Sequence, residues 1–180
     1  MQEFVVLVDE NDQVIGQMEK MEAHEKALLH RAFSVMVFNS NNELLLQKRA
    51  YSKYHSGGLW TNTTCSHPRP GETILEAGSR RLNEEMGMTC ELTQAFSFIY
   101  KAELDQGLTE YELDHVMIGF SDETPHLNLE EANAFKWMSM PDLKKDMVEH
   151  PQFYTAWFKI LIEQHFDTIQ QHLKYEVSEN

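Results

Sequence analysis

The sequence predicts an α+β fold from three features. Short runs of β-branched and aromatic residues recur through the first two thirds of the chain, a capped helix interrupts them near the middle, and the C-terminal part takes up helical spacing. The length of 180 residues fits one domain over 1–180, since domains commonly hold roughly 100–150 residues. Hydrophobic residues make up 42% of the chain and aromatics 11%, enough for a core and against overall disorder.

Phe4–Val8 reads as a strand, Asp9-Glu10-Asn11-Asp12 as a turn and Val14-Ile15-Gly16 as a short return. Ala32–Phe38, the Asn-rich turn 39–42 and Leu44-Leu45-Leu46 suggest a hairpin. Tyr51 to Gly71 carries Gly57, Gly58, Pro68 and Pro70 among many Ser and Thr residues, as a long loop with short extended pieces would. Thr73 suits an N-cap, Glu76 its capping-box partner and Gly87 the stop of a helix ending near Met86. Strands follow at Phe96–Ala102, Tyr111–Phe120 and Ala134–Trp137. Pro141 and Pro151 suit the first turns of a short and a longer helix. In the latter, Phe153, Trp157, Ile160, Leu161 and Phe166 lie near helical spacing and form an apolar face.

Lys and Arg number 15 against 29 Asp and Glu, a formal charge of −14. The imbalance is local: residues 1–81 hold 9 basic and 10 acidic side chains, and residues 82–180 hold 6 and 19. Nucleic-acid binding is not expected of so acidic a chain, because it depends on Lys and Arg neutralising phosphates. A small anion held by local arginines fits better, and all five, Arg31, Arg49, Arg69, Arg80 and Arg81, fall in the near-neutral part. Two cysteines, Cys65 and Cys90, make no disulfide framework and point to a reduced, cytoplasmic protein. Met1-Gln2-Glu3 lacks a basic leader, and Phe4–Val8 is too short for a membrane span. Nothing in the sequence speaks to oligomeric state.

On a strand, residues two apart share a face, so Glu110 and Glu112 can point at one centre, and so can Cys65 and His67 if their segment is extended. Two converging carboxylates repel unless a metal ion or a proton lies between them. Further along, Glu72, Arg80, Arg81, Glu84 and Glu85 precede Met86-Gly87-Met88. This segment resembles the Nudix box, G-x5-E-x7-R-E-U-x-E-E-x-G-U, with U an apolar aliphatic residue. Ser66 stands in place of its first Gly, and Arg81 in place of the Glu after Arg80. The ordinary alternative is a solvated helix face with Arg80/Glu84 and Arg81/Glu85 pairs, worth about 0.2–0.5 kcal/mol each.

Three further stretches sharpen the resemblance: Trp60-Thr61-Asn62-Thr63-Thr64-Cys65-Ser66-His67-Pro68, Glu110-Tyr111-Glu112, and Glu22-Ala23-His24 followed by Leu29-His30-Arg31. Together they are similar to the type 1 isopentenyl-diphosphate isomerases, in order and spacing from about Lys20 to Trp157. The resemblance implies a Nudix-like mixed sheet sandwiched by helices, with an N-terminal extension and a C-terminal helix. It implies an allylic or homoallylic diphosphate as substrate, with the double bond shifted between isopentenyl and dimethylallyl diphosphate. It implies a divalent metal, Mn2+ or Zn2+, on His24, His30, His67, Glu110 and Glu112, an N3O2 set suited to several such ions. It implies a second cation, Mg2+, on Glu85 and the substrate diphosphate.

Lys20, Arg49, Lys53 and Arg81 are implied diphosphate contacts, Arg offering a planar fork and Lys a point charge. Cys65 and Glu112 are the implied acid–base pair, with Tyr100 assisting Glu112. Trp157, together with Trp60, would offer aromatic faces to a carbocation, an attraction of roughly 0.5–2 kcal/mol. Two other functions stay open at this point. One is a Nudix pyrophosphohydrolase acting on a diphosphate substrate, which the loss of a box carboxylate at Arg81 disfavours. The other is a metal-binding module without catalysis.

Overall fold

A computed structural model describes residues 2–173. The described residues form one nine-stranded mixed sheet. In chain order the elements are β1 (Phe4–Val8), β2 (Val14–Glu19), α1 (Lys20–Glu25), β3 (His30–Phe38), β4 (Glu43–Arg49), β5 (Trp60–Thr61), β6 (Thr64–Ser66), α2 (Ile74–Met86), β7 (Thr93–Glu103), β8 (Thr109–Phe120), β9 (Ala132–Ser139), α3 (Met140–Glu149) and α4 (Ala156–Gln171). β1 and β2 form a hairpin whose turn is closed by Asp9, its carboxylate accepting the N–H groups of Asn11 and Gln13 at 2.9 and 3.0 Å.

The centre of the sheet is the parallel pair β3 and β8, in register from His30 opposite Glu112 to Phe38 opposite Phe120. β7 runs antiparallel along the other edge of β8 and sets Tyr100 opposite Glu112. β3 and β4, expected as a simple hairpin, pair only at Phe38 and Leu44 and then diverge. Residues 60–66 fill the gap, β5 pairing with β4 and β6 with β3. Divergence would strand backbone groups in the core, where unpaired polar groups are costly. Side chains of the insert take them up. Thr63 donates its hydroxyl to the Leu45 carbonyl at 2.7 Å and accepts the Val37 N–H at 2.9 Å, while the Asn62 amide donates to the Val35 carbonyl at 3.1 Å.

The period of two sorts the sheet into two apolar faces. Phe33, Val35, Val37, Leu45 and Met117 meet α2 through Ile74, Ala77, Leu82 and Met86. Met36, Phe38, Leu44, Leu46, Val116 and Ile118 meet α3 and α4 through Leu143, Met147, Phe158, Leu161 and Ile162. The sheet is thus sandwiched by helices, as expected.

α2 begins as the sequence predicts: Thr73 accepts the Glu76 N–H on its side chain at 3.2 Å. It stops at Gly87, whose φ of 61° is left-handed and whose Cβ, if present, would lie 2.4 Å from the His126 carbonyl oxygen. Most strands run a few residues past their expected spans, α1 was not expected, and two further boundaries bear on the site. β3 starts at His30 rather than Ala32, because the parallel partner β8 extends its ladder. Pro151 opens only a short 3₁₀ turn to Phe153, and the last helix begins after Thr155, where the Thr155 N–H is bonded to the Trp60 carbonyl at 3.0 Å.

Candidate active site

Along the face that packs on α4, β8 runs Ile118, Val116, Asp114, Glu112, Glu110, so the same stripe that builds the core turns acidic toward one end. Beside it β3 contributes Ser34 and His30, and β6 sets Cys65 opposite Ser34. α1 covers this end and brings His24. A bend at Ala27, whose φ is 54°, separates the helix from β3 and lets His24 and His30 face one centre despite lying six residues apart.

The three imidazoles gather closely, with ring centroids 5.0 Å apart for His24 and His30, 5.5 Å for His24 and His67, and 4.9 Å for His30 and His67. His24 Nδ1 lies 2.7 Å from the Lys20 carbonyl and His30 Nδ1 2.9 Å from the Leu28 carbonyl. A carbonyl only accepts, so each Nδ1 carries a proton, and in its neutral form each ring turns a bare Nε2 inward. His24 Nε2 is buried without a partner. The Nε2 atoms of His30 and His67 approach Glu112 Oε1 at 3.2 and 2.8 Å. Lone pairs facing a carboxylate oxygen at such distances require a proton or a cation between them. Ligand atoms of His24, His30, His67 and Glu112 all lie within 4.8 Å of one another and could hold a metal ion.

Glu110, expected in the same set, stands on its far side and groups instead with His24 and His55. Tyr100 bridges the carboxylates, its hydroxyl 2.7 Å from Glu112 Oε2 and 3.3 Å from Glu110 Oε1. Burial works against charge on both acids. At Glu112 the neighbouring His67 and His30 outweigh it and hold the carboxyl well below the usual range, whereas at Glu110 the Glu112 charge adds to burial and pushes it well above. Of the two, Glu110 is thus the one that more readily holds a proton. Burial opposes charge on His30 as well, but its bond to Glu112 raises it, while burial lowers His67 to about 4. Asp114, which accepts the Ser34 hydroxyl at 2.7 Å, is raised to about 8 by burial and by Glu112.

The cluster opens into a cavity of about 760 Å³. Cys65 lines it, its thiol pushed up to about 12 by burial and so kept protonated near neutral pH. Trp157 forms a wall at 3% exposure, with the Arg49 guanidinium 5.2 Å from its ring. Trp60 does not line the cavity, and Lys136 covers its ring at 4.2 Å, so the expected second aromatic face is a packing residue instead.

Lys20, Arg49, Lys53 and Arg81 all border the cavity. Three of them are paired with acids: Lys20 with Glu3 at 2.6 Å, Lys53 with Glu131 at 2.6 Å, and Arg81 with Glu84, Glu85 and Glu131 at 2.7, 2.5 and 3.2 Å. Glu85 is buried rather than on a solvated helix face, and its other oxygen accepts from Gln47 and Thr64 at 2.6 Å each. Glu72 instead clamps Arg80 with both oxygens at 2.7 and 2.9 Å, tying the loop before α2 to the helix.

The likeness to known proteins runs along the same lines. A family model, the NUDIX domain, matches residues 28–158. Among solved structures, DR0079 from Deinococcus radiodurans superposes with a TM-score of 0.69 over 82% of this chain and 90% of its own, at 23% identity. The MutT protein from Methanosarcina mazei does so at 0.64 over 81% and 96%, at 20% identity. The fold and the box helix therefore define a NUDIX-domain protein.

Curated relatives narrow the class. An isopentenyl-diphosphate Delta-isomerase of Pectobacterium atrosepticum is 53% identical over 87% of each chain, and one from Aliivibrio fischeri is 46% identical over 95% of this chain and 99% of its own. The chain belongs to the isopentenyl-diphosphate Delta-isomerase family.

Four residues near the site escaped the sequence reading: Tyr54, His55, Asp114 and Glu131. Asp114 continues the i, i+2 series from Glu110 and Glu112 and could have been found by extending it. The others lie in loops with no periodic signal.

Proposed function

We propose that the protein interconverts isopentenyl diphosphate and dimethylallyl diphosphate, the reaction its relatives are named for, and so serves isoprenoid synthesis. The observation that carries this is the meeting, in one cavity, of Cys65, the Tyr100–Glu112 pair and Trp157 beside a rim of cations. A proton is added to the terminal methylene carbon of the alkene, leaving positive charge on the tertiary carbon, and a proton is lost from the adjacent carbon on the diphosphate side. One proton enters and one leaves, so two acid–base groups on opposite faces suffice. Cys65 serves one face and Glu112, held by Tyr100, the other, exchanging roles with the direction of reaction. Trp157 presents its indole face to the cation, and the buried setting keeps water from it.

Lys20, Arg49, Lys53 and Arg81 hold the diphosphate, and Lys20, Lys53 and Arg81 do so by exchanging their present carboxylate partners for phosphate oxygens. The unpartnered His24 Nε2 and the inward His30 and His67 nitrogens fit Mn2+ or Zn2+ with Glu110 and Glu112, and Glu85 fits Mg2+ shared with the diphosphate. Bound there, the ions supply positive charge that lets carboxylates and diphosphate lie close together. No described helix is long and apolar enough to cross a membrane. Both cysteines are unpaired, in keeping with a cytoplasmic single-domain enzyme.

Purified protein given isopentenyl diphosphate with Mg2+ and Mn2+ is expected to yield dimethylallyl diphosphate. Release of phosphate or pyrophosphate without that product would sink the proposal in favour of a hydrolase. Cys65→Ala and Glu112→Gln are each expected to lower kcat by at least about 10²–10⁴-fold, with circular dichroism unchanged.

A further inference from the structure

His55 lies in the loop between β4 and β5, where no ligand spacing marks it, yet it is 3% exposed and faces the cavity. Its backbone is fastened on both sides. The His55 carbonyl accepts from Arg49 at 3.2 Å, and the next residue, Ser56, held at a φ of 53°, gives its N–H to Asp105 at 3.1 Å. His55 Nδ1 is 3.1 Å from the Ser56 hydroxyl, which leaves Nε2 for another partner. The ring stands edge-on to Trp157 at 5.5 Å and to Tyr54 at 4.3 Å, so its orientation is fixed by packing.

Ligand atoms of His24, His55 and Glu110 lie within 4.8 Å of one another. Two nitrogens on opposite sides of one ion stand roughly 4.1 Å apart, given metal–nitrogen bonds of about 2.0–2.1 Å. Contraction by less than about 1 Å would therefore bring the three donors onto one ion. Ring positions agree: bonds of that length put an imidazole centroid about 3.2 Å from the ion, so two ligating rings can be at most ~6.4 Å apart. The His24–His55 separation is 6.1 Å.

This group and the His24, His30, His67, Glu112 group share His24, whose single bare nitrogen cannot serve two ions. The two groups then describe one site if His30, His67 and Glu112 approach the ion from one side and His55 with Glu110 from the other. We propose that His55 is a fourth imidazole ligand of the divalent ion, making the donor set N4O2 rather than N3O2. Six donors of this type suit an octahedral transition-metal ion, and Glu110 then enters the set beside His55. The inference extends the metal-binding part of the isomerase reading.

The test uses the full chain, stripped by chelator and reloaded with one equivalent of Co2+ or Mn2+. His55→Phe keeps the ring and its packing but removes both nitrogens, and Tyr54→Phe alters the same loop without removing a nitrogen. His55→Phe is expected to bind either ion at least about tenfold more weakly in chelator competition, since even outer partners of ligands are worth 10–100-fold. Its Co2+ visible bands should also intensify as the coordination number falls, while Tyr54→Phe leaves both readouts unchanged. Affinity within twofold of wild type and an unchanged Co2+ spectrum would overturn the proposal. Should His55→Phe fail to fold, pulsed electron paramagnetic resonance of the wild-type Mn2+ protein with 15N-labelled histidine decides: four coupled imidazoles support His55, and three rule it out. None of these readouts requires turnover. A wild-type protein that isomerises yet shows three imidazoles refutes the role of His55 alone, and one that makes no dimethylallyl product refutes the function itself.

Discussion

Glu131 holds two of the cations proposed for the diphosphate, Lys53 at 2.6 Å and Arg81 at 3.2 Å. Its own carboxyl is depressed: burial opposes the charge, but Lys53 and Arg81 outweigh it. On the proposed reading, substrate displaces this carboxylate. Glu131→Gln is expected to tighten inorganic pyrophosphate about two- to fivefold in calorimetric titration and to lower KM alike, the scale of a partly exposed ion pair. Weaker binding would mean that Glu131 orders the cations rather than competing for them. At this scale the sequence is readable where spacing is physical. Glu110, Glu112 and Tyr100 come together because strand parity and register dictate it. His55 and Glu131 were not legible, since they reach the cavity through loop paths that depend on distant partners, Asp105 for the first and Lys53 with Arg81 for the second.

α4 is the element that carries Trp157, and its docking depends on a break at His165, whose φ of −127° and ψ of 16° leave the helical range. The ring of His165 rests against Phe98 at 4.5 Å and Phe96 at 5.0 Å, with its Nε2 buried and unpartnered. Burial lowers its pKa below the ordinary value of 6.5. On acidification the unfolded chain takes up this proton before the folded one. The contribution of His165 is therefore full above about pH 6.5 and declines as the pH falls below it. His165→Phe should remove that decline. Urea unfolding of both proteins from pH 7.5 to 5 is expected to show a stability difference that grows in the variant's favour toward acid, and a difference flat with pH would refute the account. The apolar face of this helix could be read from residue spacing except at Phe153, which is exposed in the turn before it, whereas the helix start could not. Proline at 151 signalled a helix, but the Trp60–Thr155 contact, a long-range pairing, moved the start to Ala156.

For the molecule as a whole, the proposed ion ties α1 and the stretch after β6 to the paired strands β3 and β8. His24 comes from α1, His30 from β3, His67 from the stretch after β6, and Glu110 and Glu112 from β8. Removing the metal leaves bare nitrogens facing a carboxylate, so chelated protein is expected to melt at a lower temperature. Titrating Mn2+ or Zn2+ back should raise Tm with free metal concentration, the added stability reaching about 2.7 kcal/mol at a hundredfold excess over Kd. A Tm indifferent to chelator and metal would refute ion binding by this cluster. The charge division along the chain was legible from composition, and the structure gives it a location: the cations of the first 81 residues border the same cavity as the carboxylates that follow. The splaying of β3 from β4 was hidden, because each strand alone reads as half of an ordinary hairpin. Yet that gap decides how the thiol is delivered. Residues 60–66 are bonded to β4 at one end and to β3 at the other, so the placement of Cys65 is counted in residues. A slip of one position turns a strand's side chains to the opposite face, and the neighbours of Cys65 are Thr64 and Ser66. One inserted residue between Trp60 and Cys65 would thus offer a hydroxyl in place of the thiol and remove one of the two proposed acid–base groups.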